Sequence, residues 1–189
     1  MTFPTTYAAL ETNQFSLGEY SIVPIRFEDR LQIMKWRNEQ IYHLRQDEVL
    51  TAEKQESYFK NTVSKLFEEN QPNQILFSYL KGNVCIGYGG LVHINWVDKN
   101  AEISFIMETE LENAYFELYW DIFLKLIEVI AFEKLGLHKI FTYALDLRPR
   151  LYPILEKAGY SNDATLTEHC RFNDNFVDVV IHYKLNSKS

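Results

Sequence analysis

Imidazoles, carboxylates, thiols and phenols are the side chains able to move protons or attack electrophiles near neutral pH. This chain sets several of them in strand-like runs. His93 stands in Val-His-Ile-Asn-Trp (92–96), and Glu102 begins the apolar stretch that follows. His169 and Cys170 are adjacent, so on an extended strand they point to opposite faces. Each has a plainer reading: a hydrogen-bonded sheet histidine, a carboxylate paired with a basic residue, an inert thiol. Trp36-Arg37-Asn38 places an aromatic ring, a fixed cation and an amide together, with Tyr42, His43 and Arg45 close behind. Arg148 precedes Pro149, and Tyr152 precedes Pro153. Cys85 and Cys170 lie far apart without CxxC spacing, which argues against a disulfide framework or a zinc knuckle. We expect two reduced thiols in a cytosolic protein, and no bound metal.

The elements that must hold these groups follow from periodicity. Residues 1–18 read as a polar arm or short strand, and Tyr20–Phe27 as a strand that Pro24 marks as an edge or bulge. Glu28–Asn38 reads as a helix. Thr51 is placed to cap a second helix to about Glu69, whose Phe59, Val63, Leu66 and Phe67 share one face. Three strands with short turns follow, Ile75–Leu80, Val84–Ile94 and Ala101–Met107, the middle one weakened by Gly87, Gly89 and Gly90. A long helix from about Ala114 to Lys134 carries one narrow polar stripe, Glu117, Asp121, Lys125 and Glu128, so most of its circumference is buried. His138–Leu145 is a strand, Arg150–Lys157 a short helix, and Ala164–Phe172 with Phe176–Leu185 a closing hairpin. The order βααβββαβαββ predicts one α/β (α+β) domain over residues 1–189. Its mixed, mostly antiparallel sheet has about seven strands and helices on both faces.

Composition limits the function. The 189 residues, 47% of them hydrophobic and 15% aromatic, exclude disorder. A formal charge of −7 argues against a dedicated nucleic-acid binder, which needs a basic face. No leader-like or membrane-spanning run is evident, because the longest apolar stretch, Tyr115–Phe132, is broken by Glu117, Asp121, Lys125 and Glu128.

Four segments in this order resemble the GNAT superfamily of acyl-CoA-dependent N-acyltransferases. They are IVPIRFEDRLQIMKWRNEQ (22–40), NVCIGYGGLVHINWVDKNAEISFIM (83–107), AFEKLGLHKIFTYAL (131–145) and ILEKAGY (154–160). Within the superfamily the chain is most similar to the branch acetylating ribosomal-protein N-termini and amino sugars. The resemblance implies acetyl-CoA as co-substrate and acetyl transfer to a primary amine by direct attack in a ternary complex. It implies that the backbone of Phe105, Ile106 and Met107 pairs with the pantetheine arm like an added strand. It also implies that Asn113, Ala114 and Tyr115, opening the long helix, meet the pyrophosphate. Glu102 and His93 are the candidate bases. Tyr152 is a candidate acid for the leaving thiolate, and Arg148 for a phosphate. Trp36, Arg37, Asn38 and His169 are candidate acceptor contacts, and Asp178 a structural acid.

One stretch departs from the family pattern. Where Arg/Gln-x-x-Gly-x-Gly/Ala is usual, residues 108–117 hold no glycine and no basic residue but carry Glu108, Glu110, Glu112 and Glu117. This predicts weakened or altered CoA binding, and leaves open a catalytically weak acyl-CoA- or protein-binding module. The net acidity favours a cationic or neutral acceptor, while Arg37 keeps a nucleotide-linked amino sugar open. A monomer or homodimer is expected.

Overall fold

The computed structural model describes residues 2–187. Strands β1 (Phe15–Leu17), β2 (Tyr20–Pro24), β3 (Ile75–Lys81), β4 (Val84–Asn95), β5 (Asn100–Met107), β6 (Lys139–Leu145), β7 (Ser161–Phe172) and β8 (Asn175–Leu185) form one sheet, in the order β1-β2-β3-β4-β5-β6-β8-β7. Every pairing is antiparallel except β5–β6, the pair joined by the long helix, since a parallel pair requires a crossover. The helices are α1 (Arg30–Glu39), α2 (Ala52–Tyr58), α3 (Ser64–Leu66), α4 (Glu112–Glu128) and α5 (Tyr152–Lys157). The expected mixed sheet with helices on both faces is present, with one more strand, β1, than the sequence suggested.

The N-terminal arm is a packed element. Tyr7 is buried, stacks on Phe67 with centroids 4.0 Å apart, donates from its hydroxyl to the Leu76 carbonyl (2.9 Å) and accepts from Leu76 N–H (3.1 Å). Its polar neighbours hide this anchor in the sequence. Thr51 caps α2 by accepting from Lys54 N–H at 3.3 Å. Between α2 and α3 the helix widens to a π-helical stretch over Phe59–Val63. Pro24 sits beyond the reach of β1, which pairs only with residues 20–22, so its missing N–H leaves no gap in a ladder.

Helix α4 is buried through Phe116, Tyr119, Trp120, Phe123 and Ile127, and Lys125 pairs with Asp121 at 2.7 Å on the exposed stripe. It starts at Glu112, two residues earlier than its apolar pattern indicates, behind a 3₁₀ turn at Thr109–Leu111. Gly89 lets this helix sit close to the sheet. A Cβ there would lie 2.2 Å from the Ser104 carbonyl oxygen and 2.8 Å from Phe123. The bulges of β4 fall beside the glycines, not on them. The register slips at Ile86 and again between Val92 and Asn95, where His93 adopts φ +50°.

Candidate active site

Strands β5 and β6 pair only at 100–102 with 139–141. Beyond that they part, and residues 103–107 keep a neighbour on the β4 side alone. The open outer edge of β5 thus offers N–H and C=O groups to whatever enters. A cavity of about 470 Å³ fills the opening. Because side chains alternate along β5, Glu102, Ser104 and Ile106 face one side of the sheet, and Ile103 and Phe105 face the other with Trp120 of α4. A bound molecule can therefore be reached from both faces through the gap.

At the parting point stands a three-residue array. Glu102 is 6% exposed, and one carboxylate oxygen bonds the Arg45 guanidinium. The other lies 2.8 Å from Nδ1 of His93, whose side chain is 65% exposed and lines the cavity. The bulge at His93 turns its ring toward this carboxylate, a common use of an extra residue beside a site. With Nδ1–H donated to Glu102, Nε2 is left as the proton acceptor. Arg45 also covers the Tyr143 ring at 4.5 Å. Tyr143 is the tyrosine on the cavity wall, and its hydroxyl, 3.5 Å from the Cys170 sulfur, is pushed up to about 12 by burial and that contact.

A second array sits where α4 begins. Glu112 is 7% exposed and takes Arg148 on one oxygen and Arg150, at 2.8 Å, on the other. Both guanidiniums lie over the Phe116 ring, at 4.9 and 3.9 Å. Arg148 also donates to Nε2 of His43 at 2.7 Å, and burial, reinforced by Arg148, pushes the His43 imidazole down to about 3. His43 therefore stays neutral. Beside this array a further cavity of about 440 Å³ is lined by Asn113, Ala114, Arg150 and Lys157. Two buried polar atoms of the cleft wall, Thr142 Oγ1 and Arg148 Nε, have no hydrogen-bond partner among the described residues.

The residues singled out from sequence divide clearly. Glu102, His93, Phe105, Ile106, Arg37 and Arg148 line the main cavity, and Asn113 and Ala114 the second. Met107 ends β5 with its carbonyl taken by Gln40 Nε2 at 2.8 Å. Others are displaced from the cleft. Trp36 is wholly buried core. Asn38 pins the following loop, accepting from Leu50 N–H and donating to its carbonyl, both at 2.9 Å. Tyr115 is exposed and stacks on Tyr119. His169 is exposed, with its ring 6.2 Å from Tyr143 and outside the cavity. Tyr152 donates a hydrogen bond to Asp146 at 2.8 Å and stacks on His182. Burial, then Asp146, raises its pKa, and Tyr152 is not among the residues that line the main cavity. Asp178 accepts from Glu168 N–H at 2.7 Å, a structural role.

Sequence reasoning missed Arg150, Tyr143, Gln40 and the role of Glu112. Tyr143 was recoverable, since its alternation with Thr142 and Ala144 on β6 puts it on the face of Glu102. The Glu112–Arg150 contact joins residues 38 positions apart and leaves no local trace.

A model of the acetyltransferase (GNAT) domain matches residues 22–181. Among solved structures, the spermidine N-acetyltransferase from Vibrio cholerae in complex with CoA and spermine superposes with a TM-score of 0.77. It is 19% identical, over 91% of this chain and 98% of that one. A dodecameric structure of the V. cholerae spermidine N-acetyltransferase gives 0.71 at 21% identity, over 91% and 96%. At these identities the likeness is one of fold, and it does not select a branch. The family model spans most of the chain: the chain belongs to the GNAT acetyltransferase family.

Proposed function

We propose that the protein transfers an acetyl group from acetyl-CoA to a primary amine, by direct attack within a ternary complex. The observation that carries this reading is the His93–Glu102 pair standing at the point where β5 and β6 part. His93 Nε2 accepts the proton that the amine loses as it attacks the thioester carbonyl. Glu102, capped on both oxygens, holds the imidazole and stabilises its charge, so of the two candidate bases His93 takes the proton and Glu102 positions it. N–H groups on the free edge of β5 polarise the carbonyl. Solvent at the open mouth protonates the expelled thiolate.

The co-substrate suits the residues present. Arg148, Arg150 and the N–H groups opening α4 supply the positive charge that the 108–117 loop lacks. We place the protein in the cytosol, where CoA thioesters and unpaired thiols are both at home. No helix among the described residues is long and apolar enough to cross a membrane.

A second reading, a weak-turnover acyl-CoA- or protein-binding module, is favoured by one observation: Glu112 already occupies both arginines. Thermal unfolding with acetyl-CoA, desulfo-CoA and ATP, followed by CoA release with a panel of amines, separates the two. Saturation at 100 times the dissociation constant adds about 2.7 kcal/mol, roughly 5–10 °C at this size. A CoA-specific shift with turnover supports the transferase. A shift without turnover supports the acyl-CoA-binding module, and no shift removes the transferase and leaves a module for another ligand.

A further inference from the structure

We infer that the acceptor amine carries an oxyanion, a carboxylate or phosphate, at the end remote from the amine, and that Arg37 holds it. This deepens the acetyl-transfer reading and rests on it.

The main cavity is cationic although the chain as a whole is acidic. Its charged lining comprises Arg37, Arg45, Arg148 and Glu102, with His43 neutral. Glu102 offsets Arg45, and Glu112 offsets Arg148. Arg37 has no carboxylate partner among the described residues. It donates to the Tyr88 hydroxyl at 2.6 Å and to Gln46 Oε1 at 2.9 Å, both neutral. Its remaining Nη2 group makes no hydrogen bond among the described residues. A guanidinium is always charged in proteins, and a half-buried one without a counter-ion calls for an anion. Tyr88 is buried behind the cavity wall, and with Gln46 it fixes the Arg37 guanidinium, which lines the cavity and has Nη2 left for an oxyanion.

The same geometry sets the shape of the acceptor. Arg37 engages β4 at Tyr88, and the base stands at His93 on the same strand, five residues on. At about 3.3 Å per residue the Tyr88 and His93 backbones are at most roughly 17 Å apart. The amine and the anion thus occupy different ends of the acceptor. A polyamine fits poorly, because its second ammonium would approach Arg37 with no carboxylate there to receive it.

Matched pairs test this: glucosamine 6-phosphate against glucosamine, 8-aminooctanoate against 8-aminooctanamide, and spermidine alone. Acetyl transfer is read as KM, and binding as the unfolding-midpoint rise of the CoA-loaded protein. The phosphate pair and the carboxylate pair distinguish the two oxyanions. The expected result is that one anionic member binds about 10- to 100-fold better than its neutral partner. Arg37→Gln abolishes that preference and Arg37→Lys restores part of it. Should Arg37→Gln not fold, Tyr88→Phe weakens the anionic member selectively. Equal binding within both pairs, a preference for spermidine, or a preference that survives Arg37→Gln overturns the inference while acetyl-CoA binding stands. Failure of acetyl-CoA and CoA to raise the midpoint of the unliganded protein removes the acetyl-transfer reading itself.

Discussion

Replacing Glu112 with glutamine should tighten CoA binding while destabilising the free protein. In the free protein the carboxylate neutralises the buried Arg148 and, at 2.8 Å, the half-exposed Arg150. Removing one partner of a buried ion pair costs about 3–5 kcal/mol, whereas the Arg150 contact adds at most about 1. A diphosphate that shares the two guanidiniums comes within about 5 Å of this carboxylate. At an effective dielectric of about 20, that repulsion is roughly 3 kcal/mol per unit charge. With screening by the two arginines, a gain of about 10- to 100-fold in CoA affinity remains. Calorimetric titration of CoA into wild type, Glu112→Gln and the charge-conserving Glu112→Asp, with unfolding midpoints in parallel, reads both effects. The midpoint of free Glu112→Gln should fall, and its rise on adding CoA should exceed that of wild type. Weaker CoA binding by Glu112→Gln would refute the reasoning, and would mean that the carboxylate aims the arginines at the phosphates instead of competing with them.

Other outcomes follow from individual contacts. The His43 imidazole, held down to about 3 against an ordinary 6.5, binds its proton more readily in the unfolded chain. Its contribution is therefore complete above pH 6.5 and is lost as pH falls toward 3. Urea midpoints for His43→Gln should show a shallower decline than wild type across that window, and an identical decline would contradict this. Gly89→Ala places a methyl 2.2 Å from the Ser104 oxygen and should cost about 3 kcal/mol or more, seen as a midpoint drop of roughly 6–12 °C. An unchanged midpoint would mean that β4 and β5 can part. Tyr152→Phe loses one hydrogen bond to Asp146 and should leave kcat within twofold. A hundredfold fall would return Tyr152 to the role of proton donor.

The architecture was legible because its elements carry strong local patterns. The polar stripe of α4, the short turns of the meander and the Thr51 cap each fix an element within a few residues. Boundaries failed where the hydrogen-bond pattern changes without an apolar signal, as at the 3₁₀ start of α4 and the π-helical stretch in front of α3. The site was legible only in part. His93 and Glu102 were found as candidate bases, but the proposed division of their roles rests on a bulge at one residue and a distant Arg45, neither of which is legible in the sequence. The acidic 108–117 loop departs from the family pattern on its residues alone. Its proposed compensation by Arg148 and Arg150 depends on a contact between the start of α4 and the approach to α5. Trp36 and Asn38 share a helix with Arg37, and a helical turn sends the three to the core, to a loop and to the cleft.

The central claim is that His93, oriented by Glu102, takes the amine proton during acetyl transfer. Steady-state CoA release by wild type and His93→Ala, at saturating acetyl-CoA and a common amine, tests it most directly. A fall in kcat of about 10²- to 10⁴-fold, with the KM for acetyl-CoA unchanged, is the predicted result. Equal kcat values would contradict it and leave the pair at the mouth of the cleft with a structural role alone.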